Sequence, residues 1–433
     1  MNIYLINIGC KVNFADLSQL KTLLIEENYT ITETLQSADI VLINTCAVTN
    51  EASAASRQKI RKIRKLLPFA FIGVMGCYAQ LSSDEIIAKT GADVVFGTNE
   101  KFKIHKILSA AMKSSRKKVF VSDFLDNDFN TSMSADVESR TRGFLKLQDG
   151  CSYKCSYCIV PFARGNSRSM SFKTIPDKIN KLINAGYKEI VISGINLSDY
   201  KGENNENLID LVQMLNTPNK HFISGDIRFR ISSIEPQIIN EKLIEIISES
   251  STISPHFHIP LQSGCDTILN KMQRRYNTTQ FRKAIELINK YMPSAFIGLD
   301  VISGFPTETE DNFIATKDFI LSLNISKLHC FTYSLRQGTI AATMPQVPKQ
   351  IKKARTRELL ELSKNKNIEF NKKNINKTLI LLPEKYDNIN KITSGHTENY
   401  LEINIKTDKK LENNFYKIIV DEIKNNKLFG KLI

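Results

Sequence analysis

The chain has no apolar run of eighteen residues, the length a helix needs to cross a bilayer. Its first residues, MNIYLINIGC, place no basic stretch ahead of an apolar one. Membrane insertion and export are therefore not expected, and a cytoplasmic protein is. Histidine is scarce, six in 433 residues, and no fourth cysteine or histidine stands within fifty residues of Cys158 beyond the group Cys151, Cys155 and Cys158. A structural zinc site wants four N or S ligands, usually as two short pairs, so that triplet lacks the partner zinc would need. Acidic residues are fewer than basic ones, 45 against 59, and the net charge of +14 favours a polyanionic partner, although surplus lysine also serves solubility. No long-period repeat is evident. Eight cysteines in a reducing compartment serve as ligands, catalysts or core residues before they serve as disulfides.

The most informative positive feature is GCSYKCSYC, residues 150–158, directly after the strand-like run GFLKLQ. Three thiolates spaced CxxxCxxC can hold three irons of a 4Fe-4S cube and leave the fourth open to a chelating small molecule. Zinc remains the plainer alternative.

The first hundred residues alternate apolar strand-like runs (IYLINI, DIVLIN, AFIGVM, DVVFG) with helical segments over 14–27, 50–67, 83–89 and 99–110. That alternation predicts an open parallel sheet with helices on its faces. Cys10, Cys46 and Cys77 each follow one of these strands, and ligands of open α/β sheets bind beyond the carboxyl ends of the strands. A second three-cysteine cluster is expected there, against the alternative that each thiol is a small buried hydrophobe. From Gly143 to Tyr333 the alternation resumes, with strands in GFLKLQ, EIVISG, IRFRISS, HFHIP, AFIGLDVIS and KLHCFTY. Six such units in about 190 residues fit an incomplete (β/α)6 barrel, since a closed eight-fold one takes about 250. Residues 349–373 read as a helix, and five short β runs follow, suggesting a small five-stranded barrel. The expected chain is thus α/β, with an open parallel sheet domain (1–111), a linker (112–142), a partial barrel with its exit helix (143–370) and a small β-barrel (371–433).

Nearly the whole chain resembles the methylthiotransferases, a family of radical S-adenosylmethionine (SAM) enzymes. The resemblance rests on GCKVN, INTCAVT, GCYAQ, the CxxxCxxC loop with Tyr157 before its last cysteine, IVPFARGNSRS, ISGIN, RISSIEP, HIPLQSG, DVISGFPTET and FTYSLRQGT. GCKVN and RTRGFLKLQDGC are most similar to the branch that methylthiolates N6-threonylcarbamoyladenosine at position 37 of tRNA; other branches act on isopentenyladenosine or on an aspartate of a ribosomal protein. The resemblance implies two 4Fe-4S clusters, on Cys10, Cys46 and Cys77 and on Cys151, Cys155 and Cys158. It also implies two SAM molecules per turnover, one donating a methyl group to sulfur and one cleaved to a radical that attacks carbon 2 of the adenine. A TRAM-like C-terminal barrel, the tRNA anticodon arm, a sulfur donor and an electron donor such as flavodoxin or ferredoxin are implied with it.

For SAM, the resemblance points to Ser193, Gly194 and Asn196 in ISGIN, to Ser233 and Glu235 in RISSIEP and to Gly304 in DVISGFP. The corresponding plain readings are a tight turn, a helix cap and a chain reversal. Arg164 and Arg168 could hold SAM carboxylate or RNA phosphate, and Arg336 is a similar candidate. His256 and His258 alternate along one strand and are expected to face opposite sides in core or surface roles, and Cys265 and Cys330 to be structural. Tyr386, Tyr400 and Phe415 are candidate stacking platforms for RNA, with core packing as the alternative. The basic segments 50–67 and 349–373 would add salt-dependent backbone affinity.

Overall fold

A computed structural model describes residues 1–113, 118–124, 129, 132–133, 141–217, 222 and 226–433. The N-terminal sheet contains β1 (Asn2–Asn7), β2 (Thr30–Ile31), β3 (Ile40–Thr45), β4 (Phe71–Gly76), β5 (Val94–Phe96) and β6 (Lys118–Phe120), all parallel, in the order β2-β1-β3-β4-β5-β6. Every residue of β3 is buried, because helices cover both faces: Val41 and Ile43 pack with Ile60 and Ile63 on one side, Ile40 and Leu42 with Leu20 and Leu24 on the other. Lys118–Phe120 lie inside the stretch read as linker, yet pair with β5 and extend the sheet. Residues 114–117, 125–128, 130–131 and 134–140 of that stretch lie outside the described residues.

A two-residue strand, β7 (Ser132–Met133), and β8 (Arg142–Lys146) lead into the barrel, and β9 (Gln148–Asp149) and β10 (Arg168–Ser169) form an antiparallel pair around the cysteine loop. The other barrel strands are β11 (Glu189–Ser193), β12 (Arg228–Ile231), β13 (His256–Gln262), β14 (Phe296–Ser303) and β15 (Lys327–Thr332). They form two sheets, β12-β11-β8-β7 and β13-β14-β15, joined by a single bridge between Phe229 and Ile253. All six strands read from the sequence are present and mutually parallel within each sheet. The helix Lys349–Lys372 packs on β15 and leads to a closed barrel of β16 (Thr378–Asp387), β17 (Ile392–Thr397), β18 (Glu402–Lys406), β19 (Tyr416–Lys424) and β20 (Lys427–Leu432). Among the described residues no helix is long and apolar enough to cross a membrane.

The C-terminal barrel is attached to the amino ends of the β11 and β12 strands through buried charge. Glu189 accepts from Arg228 Nε at 2.6 Å and Arg230 Nη2 at 2.9 Å. The same two guanidiniums donate to the carbonyls of Ile380 (3.0 Å), His396 (3.2 Å), Thr397 (3.2 Å) and Glu398 (3.2 Å). Burial opposes ionisation of Glu189, but the two arginines overcome it and hold the carboxyl well below the ordinary range. Glu189→Ala leaves two buried cations uncompensated and is expected to cost about 3–5 kcal/mol, read from chemical unfolding. Because the folded pKa is depressed, the Glu189 contribution is present above the unfolded value of about 4.3 and lost as pH falls below it. The gap between wild type and variant should therefore narrow at acid pH.

Candidate functional site

Each cysteine of the first triplet leaves a strand at its carboxyl end. Cys10 precedes the helix Lys11–Glu26, Cys46 follows β3 directly, and Cys77 opens the helix Cys77–Leu81. The turn into Cys77 needs Gly76, which has φ +97° and whose Cβ position would fall 2.4 Å from Asn44 Oδ1. The strand order places β1, β3 and β4 side by side, so the three thiols share one rim of the sheet. They are close enough to act on one another: burial pushes the Cys46 thiol up to about 11, and Cys77 and Cys10 add to it.

The second triplet sits on the loop between β9 and the short helix Val160–Arg164, at the carboxyl end of β8. Gly150, with φ +70°, makes the sharp entry; a Cβ there would lie 2.0 Å from the Asn166 carbonyl. The loop is tied down by Ser156, whose N–H donates to Met272 O at 3.1 Å and whose hydroxyl donates to Lys271 O at 2.7 Å. Burial raises Cys158 to about 12, with Cys155 and Cys151 adding. Among the described residues no three His, Cys, Asp or Glu side chains close on a single point as one metal ion requires. A cube instead spreads three thiolates over three irons, and two sets of neighbouring cysteines without nitrogen or carboxylate ligands match that donor chemistry.

An arginine stands at one thiol of each triplet. Arg164 is 1% exposed; its Nε donates to Cys77 Sγ at 3.2 Å, Nη1 to Asp149 at 2.7 Å, and Nη2 to Asn13 and, at 3.4 Å, Asp16. It is engaged by protein on every side and offers nothing to SAM carboxylate or RNA phosphate, contrary to the sequence expectation. Arg274, which the sequence reading missed, donates to Cys155 Sγ at 3.2 Å and forms a short ion pair with Glu235. Its only signal was the pair of arginines in MQRRY, on a turn far from the cysteines in sequence.

The other predicted residues divide into two groups. Asn196 is at the cluster loop: its Nδ2 lies 3.9 Å from Cys151 Sγ, and its N–H donates to Gln148 Oε1 at 2.8 Å. Gly194 packs so closely on Gln148 and Leu197 that a Cβ would meet them at about 3 Å. Glu235 does not cap the short helix that follows; burial lifts its carboxyl above the ordinary range even with Arg274 beside it. Ser233 lies on the same turn, half-buried. Ser193, by contrast, donates its hydroxyl to Leu145 O at 3.1 Å between β11 and β8. Gly304 turns the chain, with φ +71°, its N–H on Glu308 at 2.8 Å and Lys352 filling the space a Cβ would take. Arg168 donates to Arg164 O at 2.9 Å, lies over Phe124, and has Nε and Nη1 buried without a partner among the described residues.

Tyr400 packs against His256, His396 and Arg230; Phe415 covers Arg228; and Tyr386 donates to Asp408 O at 2.9 Å. These aromatics hold the seam and the barrel. His256 and His258 face the same cavity, correcting the expectation of opposite sides, because residues two apart on a strand share a face. Cys265 is half-buried and accepts from Asn312 at 3.4 Å.

A cavity of about 220 Å³ opens beside Cys158 of the second triplet, lined also by Val48 and Thr49, which follow Cys46 in the chain, and by Tyr157, Gln262, Asp300 and Arg336. Arg336 donates to Asn50 at 3.0 Å, and its Nε and Nη2 are buried without a partner among the described residues. Gln262 holds φ +61° at a β-bulge in the same wall. In a double-mutant cycle followed by unfolding, Arg274→Met alone should cost about 3–5 kcal/mol by stranding Glu235, and adding Glu235→Met should recover most of it.

Comparison with known proteins agrees with this layout. Residues 2–97 match the family described as uncharacterized protein family UPF0004, and residues 145–320 match the radical SAM superfamily. The threonylcarbamoyladenosine tRNA methylthiotransferase MtaB of Bacillus subtilis is 36% identical over 405 residues, 92% of this chain and 89% of its own length. The tRNA-2-methylthio-N6-dimethylallyladenosine synthase of Dictyoglomus thermophilum is 31% identical, covering 99% of this chain and 98% of its own. The radical SAM methyltransferase TsrM of Kitasatospora setae shares the fold, with a TM-score of 0.57 at 14% identity over 79% of this chain and 77% of that one. Similarity that runs through both cysteine-bearing regions and nearly end to end along such relatives means that the chain belongs to the methylthiotransferase family of radical SAM enzymes.

Proposed function

We propose that the protein adds a methylthio group to carbon 2 of N6-threonylcarbamoyladenosine at position 37, beside the anticodon of tRNA, in the cytoplasm. The observation that carries the reading is that one cavity runs from Cys158 of the second triplet to Val48 and Thr49, just past Cys46 of the first in the chain, in a protein about 35% identical over most of its length to tRNA methylthiotransferases of that name. Cys10, Cys46 and Cys77 would hold one 4Fe-4S cluster, and Cys151, Cys155 and Cys158 the other. When bound, the clusters and SAM supply one-electron chemistry and a sulfur-borne methyl group, which an aromatic C–H requires because it offers no acidic proton.

The chain's own residues orient and insulate. Arg164 and Arg274 place positive charge at one thiolate of each triplet, and hydrogen bonds to sulfur raise a cluster's reduction potential. Asn196, the Gly194 backbone, Ser233 and Glu235 stand at the strand ends next to Cys151 and Cys155, where SAM would be oriented. The Arg336 donors that lack a partner among the described residues would meet an anion or a base edge in the cavity beside Cys158. The C-terminal barrel, TRAM-like in strand number, and the exposed Lys59, Lys62 and Lys65 would grip the anticodon arm. Sulfur and electrons would come from separate donors, a flavodoxin or ferredoxin for the latter. Prenylated adenosine is the second reading, favoured by the Dictyoglomus relative.

Mass spectrometry of tRNA nucleosides from cells with and without the gene tests the substrate: loss of the methylthio form with accumulation of threonylcarbamoyladenosine is expected, and a change confined to prenylated adenosine would favour the second reading. In the purified protein, Cys155→Ala should abolish SAM cleavage. Cys46→Ala should retain it while methylthio transfer is lost and iron falls from about eight to about four per chain.

A further inference from the structure

Four of the six histidines, His256, His258, His329 and His396, line one cavity of about 410 Å³ where β13, β14 and β15 meet the C-terminal barrel. Three lysines from three parts of the chain line it too: Lys11 after Cys10, Lys327 at the start of β15 and Lys427 at the start of β20. None of the three lysine side chains has a hydrogen bond or ion pair among the described residues, and Glu402 is the one acid in the wall. His256 is 6% exposed, and its Nδ1 is buried without a partner among the described residues. His258 is tied to Asp300 and His396 to Glu384, while the three lysines are exposed at the rim with their ammonium groups uncommitted, a concentration of cationic donors that suits an anion.

This cavity adjoins the one beside Cys158. Asp300 lines the first cavity, and His258, bonded to Asp300 at 2.7 Å, lines the second. His258 stacks on His329 with ring centres 5.0 Å apart, and Asp300 and His329 are register partners. These residues sit midway along their strands, further from the strand ends than the cysteine loop. In adenine, carbon 6 is two ring positions from carbon 2, so with carbon 2 toward the cysteines the N6 substituent would leave obliquely, along the wall that runs from Asp300 to His258. There it meets the histidines and lysines.

We propose that the histidine–lysine cavity receives the carboxylate-bearing substituent on N6 of the target adenosine, and so selects for it. The inference rests on the tRNA reading above and deepens it. A prenyl group carries no charge and gains nothing from unpaired ammonium groups, whereas a carboxylate does. A backbone phosphate of the same RNA would satisfy the same donors, and the experiment separates the two sources.

Anaerobically reconstituted full-length enzyme is titrated with two synthetic anticodon stem-loops, one carrying threonylcarbamoyladenosine and one plain adenosine at the target position. Lys327→Gln is compared with wild type, and Lys427→Gln repeats the comparison from the other wall should the first variant fold poorly. SAM cleavage without RNA reports integrity of the radical site. Each variant is expected to bind the threonylcarbamoyl stem-loop about tenfold more weakly, the loss of one charged hydrogen bond, with affinity for the plain stem-loop unchanged. Equal weakening on both stem-loops assigns the cavity to phosphate and overturns the proposal, as does no weakening on either. A wild-type enzyme that methylthiolates only a prenylated stem-loop overturns the substrate reading itself, independently of the variants.

Discussion

The placement of the two cysteine triplets depends on a chain of buried charges between the N-terminal sheet and the barrel mouth. Asp16, on the helix that follows Cys10, pairs with Lys101, with Lys146 at 2.8 Å and with Arg164 at 3.4 Å. Asp149, next to the cysteine loop, pairs with Lys146 at 2.9 Å and Arg164 at 2.7 Å. Three cations face two carboxylates, and the Cys77 thiol takes the remaining Arg164 donor. None of these side chains is more than 5% exposed. Such a set is worth little as net stability, since desolvation consumes most of the attraction, but it tolerates only one arrangement. Slipping the sheet against the barrel would strand several charges without water. The network therefore works as a register pin between the parts that carry the two triplets.

The same pattern recurs at the radical site. Cys77, Arg164 and Asp149 are matched by Cys155, Arg274 and Glu235: a thiol, a guanidinium 3.2 Å away and a carboxylate behind it. Burial raises the Cys46 and Cys158 thiols, so thiolate ligation needs positive charge nearby, and the guanidiniums provide some of it before any iron is bound. The carboxylates in turn hold the guanidiniums in place. The number of cations around each acid sets the difference: Asp149, facing Lys146 and Lys101 as well as Arg164, stays far below the ordinary range, whereas burial lifts Glu235, with Arg274 as its bonded partner, above it.

Much of this architecture was legible in the residues. Recurring apolar runs identified the six parallel barrel strands, because strands covered on both faces are mostly apolar, whereas the two-residue β7 was too short to register. Glycine–cysteine pairs marked the turns, since only glycine fits the backbone of Gly76 and Gly150. What was illegible involved pairing across distance. The strand Lys118–Phe120 has too few apolar residues to stand out from a linker and is held by β5. Arg274 lies more than a hundred residues from Cys155, and nothing local distinguishes it from any surface arginine. Arg164 was noticed for its nearness to the cysteines, but its burial and its four partners come from other elements.

The sequence by itself determined the family, the α/β class, the six parallel barrel strands and the cysteines at the strand ends, because these follow from side-chain chemistry and from periodicities of a few residues. Tertiary structure alone decided which arginine meets which thiol, which serines and glycines serve the frame, and that four scattered histidines and three lysines share one cavity. Those facts depend on relative positions of strands and domains, and no local pattern encodes a contact whose partners are set by the packing of whole elements.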